Sequence, residues 1–178
     1  MKSNATKPAP VRSFPPLAST DARLLILGSM PGVASLNAQR YYAHPQNRFW
    51  PIMARIFEFA PELAYAERCR QLTICGVAVW DVLQECVRPG SLDSAIDARS
   101  VKPNDIGQFL HQHPAVHNIF FNGAAAEQLF RRHILPDLNL PEMPDFTRLP
   151  SSSPAHASLD FEQKLTYWRN ALERALPR

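Results

Sequence analysis

The chain has 178 residues, is 46% hydrophobic and carries a formal net charge of +3, a balance that suits one folded domain with a sizeable core. No apolar run approaches the length that spans a bilayer, and no secretory signal precedes Leu24, so the reading is a cytoplasmic protein without a membrane segment. The charge is compatible with a polyanionic partner but too mild to demonstrate one.

In chain order, the first twenty residues are rich in Pro, Ser, Ala and Thr and hold no acidic side chain. That composition buries little, so residues 1–13 read as a flexible N-terminal arm and 14–178 as a single domain, with Phe14-Pro15-Pro16-Leu17 packing back onto it. Four short apolar runs read as strands: Arg23 to Leu27, ended by Gly28; Val77 to Trp80, after a helix over 62–73 and its stop at Gly76; Asn118 to Phe121, ended by Asn122-Gly123; and the weaker Phe146 to Leu149, ended by Pro150 and a serine run. Helices are expected over 50–59, with Pro51 tolerable in the first turn, and over 104–113, capped by Asn104 or Asp105. Two more are expected over 123–134, closing on Arg131-Arg132-His133, and over 160–176, where Asp160 and Gln163 resemble a capping box. Alternating strands and helices predict an α/β fold, a three-layer α/β/α sandwich around a mostly parallel four-stranded sheet. Ligands of such sheets bind beyond the C-terminal strand ends, which directs attention to 28–47, 81–91, 122–123 and 151–156.

Several chemistries find no support. There is no Walker A loop, G-x-G-x-x-G, H-E-x-x-H or G-x-S-x-G elbow, so a serine hydrolase built from Ser151 to Ser153 with His44 or His156 is disfavoured. Among the six histidines no helical i,i+4 pair supports a metal, and His111 and His113 face different ways. Cys69, Cys75 and Cys86 form no Cys-x-x-Cys pair and are one ligand short of a Cys₄ site; they read as free thiols. No metal, iron–sulfur cluster or other cofactor is expected.

The segment Gly28-Ser29-Met30-Pro31-Gly32-Val33-Ala34-Ser35-Leu36, followed by Tyr41-Tyr42-Ala43-His44-Pro45-Gln46-Asn47-Arg48-Phe49-Trp50, resembles the uracil-DNA glycosylase superfamily. The Pro150-Ser151-Ser152-Ser153-Pro154-Ala155 turn resembles a later motif of that family in the matching order. Val79-Trp80-Asp81-Val82-Leu83 and Arg88-Pro89-Gly90-Ser91-Leu92-Asp93 are similar to its hypoxanthine-DNA (deoxyinosine) branch. The resemblance covers about residues 14 to 175. It implies a monomeric, cofactor-free enzyme acting on DNA that contains a deaminated base. Such an enzyme flips the nucleotide into a pocket and hydrolyses its N-glycosidic bond. The substrate would be hypoxanthine first and uracil second; a mismatch-specific uracil glycosylase and a lesion-binding protein without turnover are the alternatives.

Residue by residue, the resemblance places Tyr42 as the aromatic platform for the flipped base, and Gly28, Ser29, Met30 and Ser35 at the base. Gly32 is alternatively a plain turn residue and Ser35 a helix cap. Met30 departs from the Asp or Asn of many members and cannot hold water usefully. Asn47 therefore becomes the expected catalytic group, orienting water through its carbonyl, although it equally suits the cap of the helix that follows. Asp81 and His44 are reserves for that role. Asn122 offers donor and acceptor to a base edge, or serves as turn chemistry before Gly123. Pro150, Ser151, Ser152, Ser153 and Pro154 would grip DNA phosphates. Ala155 or His156 would enter the gap left by flipping, and Arg48, Arg131 and Arg132 are further phosphate contacts or solvent-facing cations.

Overall fold

In the computed structural model, which describes residues 9–176, the first ordered element is β1 (Val11–Arg12). It is followed by β2 (Leu24–Gly28), α1 (Val33–Ala38), α2 (Phe49–Phe57), α3 (Tyr65–Ile74), β3 (Val77–Asp81) and β4 (Leu83–Cys86). Then come β5 (Lys102–Pro103), α4 (Ile106–Gln112), β6 (Asn118–Asn122), α5 (Ala124–His133), β7 (Asp145–Leu149) and α6 (Phe161–Ala175). The main sheet is four-stranded and parallel throughout, in the order β3-β2-β6-β7. All four strand runs read from the sequence are its strands.

The period-2 alternation of strand side chains sends successive residues to opposite faces. Leu24 and Ile26 of β2, with Val77, Val79 and Phe120, pack against α2, α3 and α6 through Phe49, Trp50, Leu72, Leu165 and Trp168. Leu25 and Leu27, with Ala78, Ile119 and Phe121, pack against α4 and α5 through Ile106, Phe109, Leu110, Ala126 and Phe130. Helices thus cover both faces of the sheet, giving three layers. Local chemistry sets the ends: α3 stops at Gly76, whose φ of 77° suits a residue without Cβ. Asp105 caps α4 by accepting from Gln108 N, and Asp160 with Gln163 forms a reciprocal capping box on α6.

The sequence reading left out a second, three-stranded antiparallel sheet, in the order β1-β4-β5. Here the expectation of a flexible arm over 1–13 needs correction at its inner end: Val11 and Arg12 pair with Cys86 and Glu85, and Ser13 N donates to the carbonyl of Gln84. Residues 1–8 of that arm lie outside the described residues. Beyond the pairing, Phe14 packs on Tyr41 as expected of a segment folding back, and Leu17 bridges to Val79. Among the described residues no helix is long and apolar enough to cross a membrane.

Candidate functional site

The C-terminal ends of β2, β3 and β6 carry Gly28, Asp81 and Asn122, and all three line one cavity of about 280 Å³. It lies where the strand order reverses around β2, the place at which open parallel sheets bind ligands. The Gly28–Gly32 loop, Tyr42, His44, Asn47, Ser91 to Asp93 and Ser151 to Ala155 complete its lining. A volume near the lower end of the roughly 300–1,000 Å³ typical of ligand clefts suits one planar ring system rather than an extended molecule.

Gly28 is needed for contact rather than for backbone freedom. A Cβ at this position would fall 2.6 Å from Asp81 Oδ1 and 3.2 Å from the Tyr42 hydroxyl. Asp81 is buried, and its Oδ2 accepts from Ser13 Oγ at 2.9 Å. Burial raises its pKa to about 7; Asp93 adds to the rise, while Ser13 and Arg88 oppose it. Tyr42 holds a left-handed backbone, φ 54°, which non-glycine residues adopt at a cost and mostly where function or packing demands it. Its ring stacks on Phe49 at 4.0 Å between centroids. Its hydroxyl is buried and meets no partner at good hydrogen-bonding geometry among the described residues; burial and then Asp81 push its pKa upward, while the nearby Asn122 side chain opposes the rise.

Asn47 lines the cavity, and its Oδ1 accepts from Phe49 N at 2.9 Å at the start of α2. The helix-start reading of this residue is therefore realised in the structure, with the side chain also at the cavity wall. His44 stabilises the same turn, its Nδ1 accepting from Gln46 N. Ser35 is buried inside α1 rather than capping it, since Gly32 occupies the cap position. Its Oγ accepts from Ala43 N and so ties α1 to the Tyr42 segment. Asn122 is committed to Ser152 in both directions: Nδ2 donates to Ser152 Oγ at 2.9 Å and Oδ1 accepts from Ser152 N at 2.8 Å. A primary amide has one further N–H and one further lone pair for a ligand.

Arg88, Ser91 and Asp93, which sequence reasoning left without a role, build one wall. Arg88 is 3% exposed and donates to the backbone carbonyls of Met30, Pro31 and Gly90. Ser29 Oγ donates to Asp93 Oδ1 at 2.7 Å, and Val33 N donates to Ser91 Oγ. The 88–93 segment is thereby fastened to the Gly28–Gly32 loop. Met30 is itself buried in the core, so at this position the loop offers backbone rather than a polar side chain. The Arg88-Pro89-Gly90 run was visible in the sequence, but nothing local indicated that the guanidinium turns inward.

Other expected residues stand apart. His156 does not line the cavity; its Nδ1 is buried without a partner among the described residues, and its carbonyl accepts from Lys164 Nζ. Pro150 lies outside the lining too, its carbonyl accepting from Trp168 Nε1. Arg48 occupies the position before α2 without a side-chain cap bond, and its guanidinium lies over the Phe161 ring. Arg131 pairs with Glu127, and with Arg132 sits in the last turn of α5, away from the cavity-facing start of that helix. Among the described residues no group of three His, Cys, Asp or Glu stands close enough to hold a metal. Cys69, Cys75 and Cys86 are free thiols.

Comparison with known proteins agrees with this architecture. Two relatives are each named hypoxanthine DNA glycosylase. The one from Methanosarcina acetivorans is 34% identical over 116 residues, spanning 65% of this chain and 72% of its own length. That from Methanosarcina barkeri is 33% identical over 116 residues, 63% and 70% of the two chains. The solution NMR structure of a candidate uracil DNA glycosylase from Methanosarcina acetivorans superposes with a TM-score of 0.71 and 28% identity, covering 91% of this chain and 98% of that one. Residues 15–175 match the family described as the uracil DNA glycosylase superfamily, and with the parallel-sheet cavity in place the chain belongs to that superfamily.

Proposed function

We propose that this DNA glycosylase excises hypoxanthine from deoxyinosine in DNA, as a monomer in base excision repair. The observation that carries the reading is the convergence of Tyr42, Asn47, Asp81 and Asn122 on one cavity sized for a single base. The names of the two Methanosarcina relatives support the choice of hypoxanthine.

The flipped base stacks on the Tyr42 ring, which Phe49 backs from behind. Deaminated bases share a lactam edge, an N–H beside a carbonyl oxygen, whereas adenine and cytosine present an acceptor beside an amino group. With Ser13 donating to Oδ2, the proton on the remaining carboxyl oxygen of Asp81 is donated to the lactam carbonyl, where adenine and cytosine carry an amino donor instead. Asn122, through its free N–H and lone pair, reads another part of the ring. Asn47 orients the attacking water with the Oδ1 lone pair that Phe49 N leaves free. In the reaction the water oxygen bonds to C1′, the bond from C1′ to the base nitrogen breaks, and its electron pair leaves with the base. The water's proton passes to solvent, since an amide is no base, and the departed base is protonated in turn. Rate enhancement then comes from positioning and from stabilising the charge on sugar and base. The hydroxyl groups of Ser151 and Ser153, which flank the inward-turned Ser152, hold the phosphates beside the lesion.

End-labelled duplexes containing hypoxanthine, uracil or no lesion, incubated with the protein and then cleaved at abasic sites with alkali, test this directly. Strand cleavage at hypoxanthine, exceeding that at uracil, is expected. Asn47→Ala is expected to lower it at least a hundredfold while the protein stays folded. Cleavage at uracil alone would favour the mismatch-specific reading, and lesion-dependent binding without cleavage would favour a non-catalytic binder.

A further inference from the structure

Lys164, in the first turns of α6, is 3% exposed. A lysine is almost never buried so deeply unless a carboxylate pairs with it. Among the described residues none does. Asp160, one turn before it, gives Oδ1 to Gln163 N, and Glu162 stands against Arg55. Lys164 Nζ donates instead to a neutral acceptor, the carbonyl of His156, at 2.7 Å, which leaves two of its three N–H groups for another. Its surroundings make the charge costlier still. The start of a helix is its positive end, and burial, then the cation of Arg48, lower the pKa of the ammonium.

The carbonyl that Lys164 holds shows what the cation serves. His156 closes the turn whose residues Ser151 to Ala155 line the cavity, and its N donates to the Ser153 carbonyl. Arg48 is fastened to the same turn, its N donating to the Ser152 carbonyl while its guanidinium lies over the Phe161 ring at the head of α6. Neither cation pairs with a carboxylate among the described residues. Within the turn, Ser151 Oγ accepts from Ser153 N and Ser153 Oγ accepts from Ala155 N. A hydroxyl that accepts still has its own proton to give. Two O–H donors and two unpaired positive charges therefore converge on one short turn.

Resting on the reading that this turn meets DNA phosphate, we propose that Lys164 is a positioning residue for that phosphate: it holds the turn through the His156 carbonyl and supplies the positive charge that the arriving phosphate neutralises. A lysine that only braced the turn would behave differently, so stability and binding separate the two roles. Exchanging a buried, unpaired charge for an apolar side chain of similar length relieves the cost of burial. Lys164→Met is expected to melt no lower than wild type. By fluorescence anisotropy it should bind a labelled, lesion-free duplex about tenfold more weakly at low salt, with the slope of log Kd against log salt reduced by up to about one. In hypoxanthine excision its KM should rise about tenfold while kcat stays within about twofold. Lys164→Gln keeps a donor for the His156 carbonyl without the charge and is expected to follow the methionine variant. Arg174→Met removes the same charge from the last turn of α6 and is expected to change neither binding nor excision. An unchanged salt slope in Lys164→Met, or a glutamine variant that binds like wild type, would overturn the assignment. A wild-type protein that binds the duplex with this salt dependence yet forms no abasic site would overturn the excision reading and leave the role of Lys164 standing.

Discussion

On one side of the cavity the Gly28–Gly32 loop hangs on a buried cation, Arg88, through two backbone carbonyls, and on Asp93 through the Ser29 hydroxyl. On the other side the Ser151–Ser153 turn hangs on a neutral amide, Asn122. Both devices lock a loop by satisfying groups that would otherwise be buried and unpaired. They differ in what fails when a partner is lost. Removing a buried charge leaves other charges uncompensated, whereas removing an amide leaves one hydroxyl and one N–H. The ionic wall carries the exposed Leu92 and the neutral wall carries the serine turn, so each fastening fixes a different part of the cavity rim.

The largest expected effect comes from the ionic wall. Arg88→Met keeps the bulk but unpairs three carbonyls and removes the cation that lowers the pKa of Asp81 and Asp93. A loss of about 3–5 kcal/mol in urea unfolding is expected, together with loss of excision at temperatures where the variant remains folded. A loss below 1 kcal/mol would mean that the loop holds itself. Asn122→Ala should cost less, about 1–3 kcal/mol, because its partner Ser152 is fully buried yet uncharged. If this variant proved as costly as Arg88→Met, charge would not be the distinction between the two walls.

The floor between the walls gives the effect that depends most on conditions. With a folded pKa of about 7 against roughly 3.9 unfolded, Asp81 favours folding while protonated. That contribution is complete below the unfolded value and is lost as pH rises through 7. Asp81→Asn stays neutral, so its stabilisation relative to wild type should be greater at pH 8 than at pH 5 by about 2–3 kcal/mol. Excision by the wild-type protein should decline above pH 7, and the variant, whose amide also offers a donor and an acceptor, should lose that decline. A variant whose alkaline profile matched wild type would remove Asp81 from base recognition.

The central sheet was legible because each of its strands is a continuous apolar run ended by a turn residue, and burial on both faces leaves such runs no polar alternation. The caps at Asp105 and Asp160 were legible for the same local reason. The small sheet was not. Val11-Arg12 and Lys102-Pro103 are two-residue strands, too short to carry any period, and they exist through pairing with β4. At the site, Gly28, Tyr42, Asp81 and Asn122 were found because they stand at strand ends or in the motif loop. Arg88 and Ser13 act through partners 58 and 68 positions away in the chain, a separation that no local pattern reveals. Ser152 was expected to meet phosphate, but its side chain turns inward to Asn122, which leaves its neighbours Ser151 and Ser153 at the cavity wall for that contact.

The pairing of β1 carries one more consequence. Ser13 bonds the floor of the cavity, the Phe14 carbonyl accepts from Trp80 Nε1, the Pro15 carbonyl accepts from the Tyr41 hydroxyl, and Leu17 exchanges backbone bonds with Val79. Within five residues the start of the described chain touches Asp81, the strand that delivers it, and the neighbour of the stacking tyrosine. Residues 13–17 thus act as a strap across the cavity floor, and cutting these bonds would loosen Asp81 and the Tyr41–Tyr42 segment together.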